Sequence, residues 1–536
     1  MLFRPPYDID AEPTSPAQIA PIYTARQEGY LTIGSSIDPQ DWQEGVSSDT
    51  IVARATGQHA LGNIILLHDA GGVRASTVDA LPRIIEYYQS HGYQFVSLAH
   101  LMDKKRDDIM PRAVGSFDNY LESADATVIQ VGYYFNRIVS AIFFLAMILS
   151  ILKIMAIAIL AIRQRRFSRR SVNIPPRGNY KVSIIVPGYN EEITAPKTVE
   201  NLLRSDYPDL EIVFVDDGST DNTYKNIESQ YGGLPNVKVL TKPNGGKASA
   251  LNYGIGIASG DILVCIDADT VLSPDAVSKM VAYFDNPEVA AVAGNVKVGN
   301  RKNLLSRWQS IEYITSQNFD RRAFDALNAI MVIPGAIGAF RRDAVIKVGM
   351  FTTDTLAEDC DLTLRLLDAG YRVRTCNEAL AYTEVPEVLP MLLKQRFRWT
   401  FGIMQAFWKH RGNMFVRRNP NLGWVVLPNM LVFQLILPLL SPLVDLTLLV
   451  SLLMPKGGII AALYFGYYFL DLCISALAFH FDGEKFTLRE AINLFLQRII
   501  YRQLLWYVLV KGYLRAMKGE LASWGVLKRT GNVDTV

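Results

Sequence analysis

Apolar and polar positions along the chain fall into two regimes. Residues 138–162 and 427–513 carry long apolar runs, whereas residues 178–400 alternate short β-branched runs with amphipathic stretches. The run Ile138–Ile162 is long enough to cross a bilayer, for which about 20 apolar residues suffice. Arg163, Arg165, Arg166, Arg169, Arg170 and Arg177 follow it, while Arg137 is the lone basic residue in the stretch just before it. The bias of basic residues toward the cytoplasm predicts that the chain after this helix starts inside and the preceding segment lies outside. Three more apolar stretches are predicted near 427–454, 459–479 and 493–513. The first contains Pro438, Pro442 and Asp445; the third contains Arg498 and Arg502, four apart and therefore on one helical face. Three crossings would leave the C-terminus outside, yet Lys511, Arg515, Lys518, Lys528 and Arg529 favour the inside. One of the three stretches is therefore expected to be interfacial or re-entrant.

Between the apolar regions, Lys181–Val186 (KVSIIV), Glu211–Val215 (EIVFV) and Asp261–Ile266 (DILVCI) read as strands. Amphipathic stretches such as Lys197–Leu203 separate them. This alternation predicts an α/β domain with a parallel sheet covered by helices on both faces. Ligands in such sheets bind at the carboxyl ends of the strands. Polar clusters stand at those ends: Tyr189-Asn190-Glu191, Asp216-Asp217-Gly218-Ser219 and Asp267-Ala268-Asp269.

Composition narrows the partners. The 536 residues are half hydrophobic and carry a net charge of only +2, so the electrostatic footprint of a nucleic-acid binder is missing. Cys265, Cys360, Cys376 and Cys473 form no CxxC pair, which argues against a disulfide framework or a zinc cluster. No apolar run follows Met1, so no signal peptide is expected.

Each polar cluster has an ordinary reading beside a chemical one. Asp267 and Asp269 are hard oxygen ligands suited to Mg²⁺ or Mn²⁺ carrying a diphosphate, but two aspartates also suit a solvated turn. Ser219 or Asp221 caps the following helix, which does not account for the acids Asp216 and Asp217. Lys242–Lys247 (KPNGGK) is a glycine loop with cations; it lacks the upstream glycine of a Walker loop and by itself reads as a turn. Glu358-Asp359 opens an amphipathic helix, where an acid complements the helix dipole or serves as a general base. In Gln395-Arg396-Phe397-Arg398-Trp399, the tryptophan suits stacking on a sugar ring or anchoring at a membrane interface, and Arg398 suits a pyrophosphate.

The order of these clusters is more specific than any one of them. VPxYNE, VDDGSxD, NGGKAxALN, DADT, GAFRR, ED and QRFRW follow one another over residues 186–399, and membrane stretches come next. In this the chain resembles the family 2 processive glycosyltransferases: poly-N-acetylglucosamine, chitin and hyaluronan synthases and, more distantly, cellulose synthase. The resemblance covers roughly residues 178–530 and implies a GT-A-type nucleotide-sugar fold with flanking transmembrane helices. It implies that Asp217 binds uridine, that Lys247 lies near the diphosphate, and that Asp267 and Asp269 form the DxD site, with Asp269 the ligand of Mg²⁺ or Mn²⁺. Gly338, Phe340 and Arg341 would line the acceptor side, Asp359 would be the catalytic base, and Gln395, Arg398 and Trp399 would stand at the mouth of a polymer channel. Trp524–Gly531 (WGVLKRTG) is similar to the tail of poly-N-acetylglucosamine synthases. Ala357 stands where the family often has threonine before Glu-Asp. The implied reaction polymerises N-acetylglucosamine from UDP-N-acetylglucosamine into a β-linked chain at a plasma or inner membrane, with the catalytic domain cytoplasmic. Implied partners are the UDP-sugar, the growing polysaccharide and membrane lipid, with room for an accessory export subunit. A hyaluronan- or cellulose-like synthase using another UDP-sugar stays open, as does the linkage.

The first hundred residues form a different module. Leu2–Tyr7 (LFRPPY), Ile37–Trp42 (IDPQDW) and Ile65–Asp69 (ILLHD) resemble the last three motifs of polysaccharide deacetylases, which implies that His68 is a general acid. The metal-binding motifs of that family are missing, so an incomplete (β/α) segment is expected, either part of a longer fusion or a vestige. Its alternatives are a deacetylase fragment and an inactive sugar-binding module, outside the cell where polymer emerges. The expected layout is a deacetylase-like segment at 1–110, a transmembrane helix and basic flank at 132–164, a glycosyltransferase domain at 178–400, interfacial and transmembrane helices at 401–515 and a tail at 516–536.

Overall fold

The computed structural model describes residues 1–5, 16–109, 116–168, 178–452 and 458–518. Tyr7, Arg169, Arg170, Arg177 and the tail with Trp524–Gly531 therefore lie outside the described residues. The chain divides into two compact units, Met1–Ile138 and Val139–Val536.

In the first unit, β1 (Leu2–Phe3) pairs in parallel with β2 (Leu31–Thr32), and a parallel bridge joins Ile37 to Ile65. Helices α1 (Ser48–Gly57) and α2 (Ala75–Ser90) pack beside them. Ser47 caps α1 by accepting from Thr50 N, which satisfies one of the orphan donors of the first turn. The core is small: Ile37, Ile51, Ala55, Ala80, Ile84 and Tyr88, the last donating its hydroxyl to Ala55 O at 2.8 Å.

Helix α3 (Ser116–Ser168) leads into the second unit. There, an eight-stranded sheet has the order β5-β4-β3-β6-β9-β8-β10-β7. β3 (Val182–Gly188), β4 (Leu210–Asp216), β5 (Val237–Thr241) and β6 (Ile262–Cys265) are parallel. β3 and β4 are buried along almost their whole length, which is why they read as continuous β-branched runs rather than alternating ones. The sheet is mixed, not parallel throughout: β9 (Gly338–Arg341) runs antiparallel between β6 and β8 (Val289–Val298). β7 (Thr270–Leu272) runs antiparallel against β10 (Arg372–Thr383) at the edge. Helical segments α4 (Leu304–Glu312), a π turn (Tyr313–Asn318) and α5 (Phe319–Asp325) intervene between β8 and β9, so β9 enters the sheet from the opposite end.

Three helices among the described residues are long and apolar enough to cross a membrane: Arg137–Arg166, Asn421–Leu449 and Ile460–Phe481. The second contains π turns at Asn421–Val426 and Met430–Ile436, beside Pro428 and Pro438, where a ring replaces a helical donor. The third expected C-terminal stretch falls in α7 (Leu488–Leu496), a π turn (Gln497–Tyr501) and α8 (Arg502–Met517), given that α6 is Gly458–Phe481.

Polar contacts tie these helices to the sheet domain. Gln164 Nε2 donates to Asp325 Oδ2 at 2.9 Å, and Arg374 Nε donates to the same carboxylate at 2.7 Å. Just after α6, Asp482 pairs with buried Lys297 of β8. Glu484 accepts two bonds from the Arg301 guanidinium, at 2.7 and 2.8 Å.

Phe214 of β4 is fully buried, and its ring lies where any side chain at Gly188 would collide, at 2.6 Å. Phe214→Ala should cost about 3–5 kcal/mol, read as a lower unfolding midpoint of the detergent-solubilised chain. An unchanged midpoint would contradict this packing.

Candidate active site

β3, β4 and β6 lie side by side in parallel, with Val182 level with Leu210 and Ile262. Their carboxyl ends therefore face one side, and the polar residues that follow them converge there. Asn190, with φ +57°, turns the chain sharply after β3, and its Oδ1 accepts from Thr220 N at 2.9 Å.

Asp217 is spent largely on the glycine loop. Its Oδ1 accepts from Lys242 Nζ at 2.6 Å and from Gly245 N at 3.0 Å, and its Oδ2 accepts from Gly246 N at 2.7 Å. Gly246 has φ +83°, a backbone that favours glycine. The loop so held starts the helix Lys247–Ile257, and Lys247 is its first residue. Lys247 Nζ lies 2.5 Å from Asp267 Oδ1 and 3.6 Å from Glu358 Oε1. Burial alone would lower this ammonium's pKa, but Asp267, Glu358 and Asp359 together hold it above the usual lysine range.

Asp267 and Asp269 follow β6. Asp269 is buried, with the Thr270 and Thr383 hydroxyls each 3.4 Å from its Oδ1. Among the described residues no three His, Cys, Asp or Glu side chains gather as a metal site. Two carboxylates are nonetheless the usual protein share for Mg²⁺, which takes its other oxygens from water and substrate phosphates. The pair fits such an ion when a diphosphate is present.

Glu358 and Asp359 occupy the first turn of the helix Glu358–Asp368. Burial pushes Asp359 up to about 6; Glu358 adds to the rise, while Lys247 and the Cys360 N–H oppose it. Two residues on, Asp361 is fully buried and accepts from Arg365 Nε (2.8 Å), His410 Nε2 (2.9 Å) and Thr352 Oγ1 (2.8 Å), with Lys409 Nζ at 3.0 Å. His410 and Lys409 end the helix Leu389–His410, which carries Gln395, Arg398 and Trp399. The same helix meets the approach to Asp359 twice more. Gln405 Oε1 accepts from Leu356 N at 2.9 Å, and a methyl at Gly402 would lie 2.6 Å from Ala357 N. Arg396 lies with its guanidinium over the Trp399 ring, 4.2 Å from the centroid, and pairs with Glu312 at 2.9 Å.

One cavity of about 780 Å³ is lined by Asp217, Lys247, Asp267, Asp269, Asp359, Gln395, Arg398 and Trp399. It continues among Phe433, Pro438, Tyr467, Arg498, Arg502 and Trp506 of the C-terminal helices. Its size falls in the range of roughly 300–1,000 Å³ typical of ligand pockets. The structure does not bring Gly338, Phe340 and Arg341 to this wall. They form β9, inside the sheet; Phe340 packs edge-on against Phe351, and Arg341 donates to Phe284 O at 2.7 Å. The preceding turn, Pro334-Gly335-Ala336, lines the cavity in their place. Sequence reading also passed over Glu312, Tyr313, Ser316, Gln317, Asp320 and Arg321, which line it from the segment 304–325. Their signal was present: 312, 316 and 320, and 313, 317 and 321, make two stripes of four-residue period.

In the first unit, His68 meets a buried carboxylate. Its Nδ1 lies 2.7 Å from Asp41 Oδ1, its backbone N–H donates to Asp41 Oδ2 at 2.9 Å, and Thr77 donates to the same oxygen at 2.9 Å.

A mixed α/β sheet thus carries acids at converging strand ends with a cavity beside them. Residues 183–349 match the model of glycosyl transferase family 2. The poly-beta-1,6-N-acetyl-D-glucosamine synthase of Staphylococcus aureus (strain COL) is 36% identical over 222 residues, covering 41% of this chain and 54% of that protein. The synthase of the same name from Staphylococcus epidermidis is 35% identical over 232 residues, covering 42% and 56%. This chain thus spans about half the length of the curated relatives it matches. A solved mannosyltransferase, PcManGT from Pyrobaculum calidifontis in complex with GDP-Man and Mn²⁺, aligns with 71% of this chain and 99% of its own at TM-score 0.46 and 21% identity. Over residues 183–349 the chain is thus similar to glycosyl transferase family 2.

Removing the Asp361 charge would leave the enclosed Arg365 guanidinium without its carboxylate and Lys409 with Asp354 alone. Asp361→Asn should therefore cost about 3–5 kcal/mol, measured as a drop in thermal midpoint; a midpoint equal to wild type would contradict the clamp.

Proposed function

We propose that the protein is a membrane-embedded, processive, inverting glycosyltransferase that polymerises N-acetylglucosamine from UDP-N-acetylglucosamine into a β-linked polysaccharide. The observation that carries this reading is the shared cavity: the strand-end acids and the residues of the C-terminal helices border the same space. A product sugar made at the acids could advance among those helices without first leaving the protein. The activity for which the relatives are named supports N-acetylglucosamine as the sugar and a β-1,6 linkage.

In the proposed mechanism, Asp217 fixes the glycine loop and with it Lys247, whose ammonium meets the donor's diphosphate. Asp267 and Asp269 would hold Mg²⁺ or Mn²⁺, which when bound offsets charge on the departing diphosphate. Trp399 offers an aromatic face to the acceptor sugar, and Gln395 and Arg398 orient it. Asp359 takes the proton of the acceptor hydroxyl as that oxygen bonds to the anomeric carbon. The bond from that carbon to the UDP oxygen breaks, its electron pair leaving with UDP. Attack from the opposite face converts an α-linked donor to a β-linked product.

The proposed topology places the sheet domain in the cytoplasm, on the side of Arg163, Arg165 and Arg166, and the first unit outside. Two C-terminal crossings, Asn421–Leu449 and Ile460–Phe481, return the chain to the cytoplasm. The helix with Arg498 and Arg502 packs against both of these spans, where the two arginines pair with Asp471 and Asp445.

Membranes supplied with Mg²⁺ or Mn²⁺ and radiolabelled UDP-N-acetylglucosamine, UDP-glucose or UDP-glucuronate should give high-molecular-weight product from the first alone. Product only from a pair of donors would replace this reading with a copolymer synthase. Asp359→Asn should abolish transfer while UDP binding, read by calorimetry, persists; normal synthesis by that variant would rule out Asp359 as the base. Because the ionised carboxylate is the active form and burial raises its pKa, kcat/KM should fall as pH drops through about 6 and level off above it. A rate flat down to pH 5 would contradict this assignment.

A further inference from the structure

Lys247 is placed where it competes with a cation. Its Nζ is 2.5 Å from Asp267 Oδ1 and 3.6 Å from Glu358 Oε1, and its side chain is mostly enclosed. Gly335 makes this reach possible, since a Cβ there would lie 2.4 Å from the ammonium and 3.7 Å from Asp267 Oδ1. The chain by itself assembles no three-carboxylate cluster among the described residues. Of its two strand-end acids, the more exposed one is engaged by an internal ammonium. A divalent cation arriving alone would have to take Asp267 from Lys247 and supply most of its coordination from water.

We infer that Lys247 is an internal counter-ion that keeps Asp267 closed to free divalent cations until a diphosphate draws the lysine away, so that metal and nucleotide load together. The inference rests on the reading of this site as one for a nucleoside diphosphate with a divalent cation. Its physical basis is charge balance. With the site empty, one ammonium stands among Asp267, Glu358 and Asp359. A diphosphate brings negative charge that the ammonium can meet instead, and Asp267 is then released with phosphate oxygens beside it to complete a coordination shell.

The test is Mn²⁺ binding by the full chain in detergent, followed by electron paramagnetic resonance of the free ion, with and without UDP. Wild type should bind Mn²⁺ weakly alone and at least tenfold more tightly with UDP. Lys247→Met should bind Mn²⁺ without UDP at least tenfold more tightly than wild type does. Gly335→Ala keeps the lysine but sets a methyl where its ammonium sits; it should gain several-fold in nucleotide-free Mn²⁺ affinity. If both variants bind Mn²⁺ alone no more tightly than wild type, while UDP still promotes binding to wild type, the counter-ion role is overturned and the donor-site reading stands. If UDP promotes no Mn²⁺ binding to wild type, the donor-site reading fails, and this inference with it.

Discussion

A carboxylate that is fully shielded from water needs hydrogen-bonding partners, and Asp361 finds them from two directions. Arg365 meets it from its own helix, while Lys409 and His410 meet it from the end of the helix that bears Trp399. The bond pattern leaves the first turn, with Glu358 and Asp359, little freedom to slide along its neighbour. Gly402 permits the two backbones to approach to a distance no larger side chain would allow, and Gln405 ties down Leu356 between them. The stripe 402, 405 and 409 faces the segment before Asp359, while 395, 398 and 399 border the cavity. One helix thus sets the height of the proposed base and presents the proposed sugar platform.

The same logic extends to the long apolar helices. Lys297 with Asp482, Arg301 with Glu484, and Gln164 with Asp325 attach helix ends to the sheet domain through buried or half-buried polar pairs. Pairs of this kind add little net stability, because desolvation offsets much of the attraction. Breaking one is costly, however, so they favour one alignment over others. An alignment is what a shared cavity requires: a shift of the helices against the sheet would split the space between the acids and Arg498 and Arg502.

Much of this was legible in the chain itself. The strand-end clusters after β3, β4 and β6 are local in sequence, and parallel strands bring local clusters together without further information. The contact of Asp217 with the KPNGGK loop was less legible, since a carboxylate beside a glycine loop reads equally well as a nucleotide ligand or as the loop's anchor. β9 escapes a reading of the sequence for a physical reason: a four-residue strand has no periodicity to reveal its direction, and only its partners β6 and β8 set it antiparallel. That reversal hides Gly338, Phe340 and Arg341 in the sheet and exposes Pro334-Gly335-Ala336 instead. The clamp between Asp361 and His410 joins residues 49 apart, and nothing in either helix's own pattern announces the pairing. The polar residues of 304–325 that line the cavity recur every four positions, but nothing local assigns that face, and only the cavity shows which way it points.

If the acids and the membrane helices border one working passage, synthesis and passage across the bilayer are a single process. Sealed inside-out vesicles, given radiolabelled UDP-N-acetylglucosamine on their outer surface, measure this directly. The polymer should resist an added β-N-acetylglucosamine-cleaving glycosidase until detergent opens the vesicles. Polymer digested equally fast without detergent would mean that the product leaves on the donor's side, and the shared cavity would not be its route.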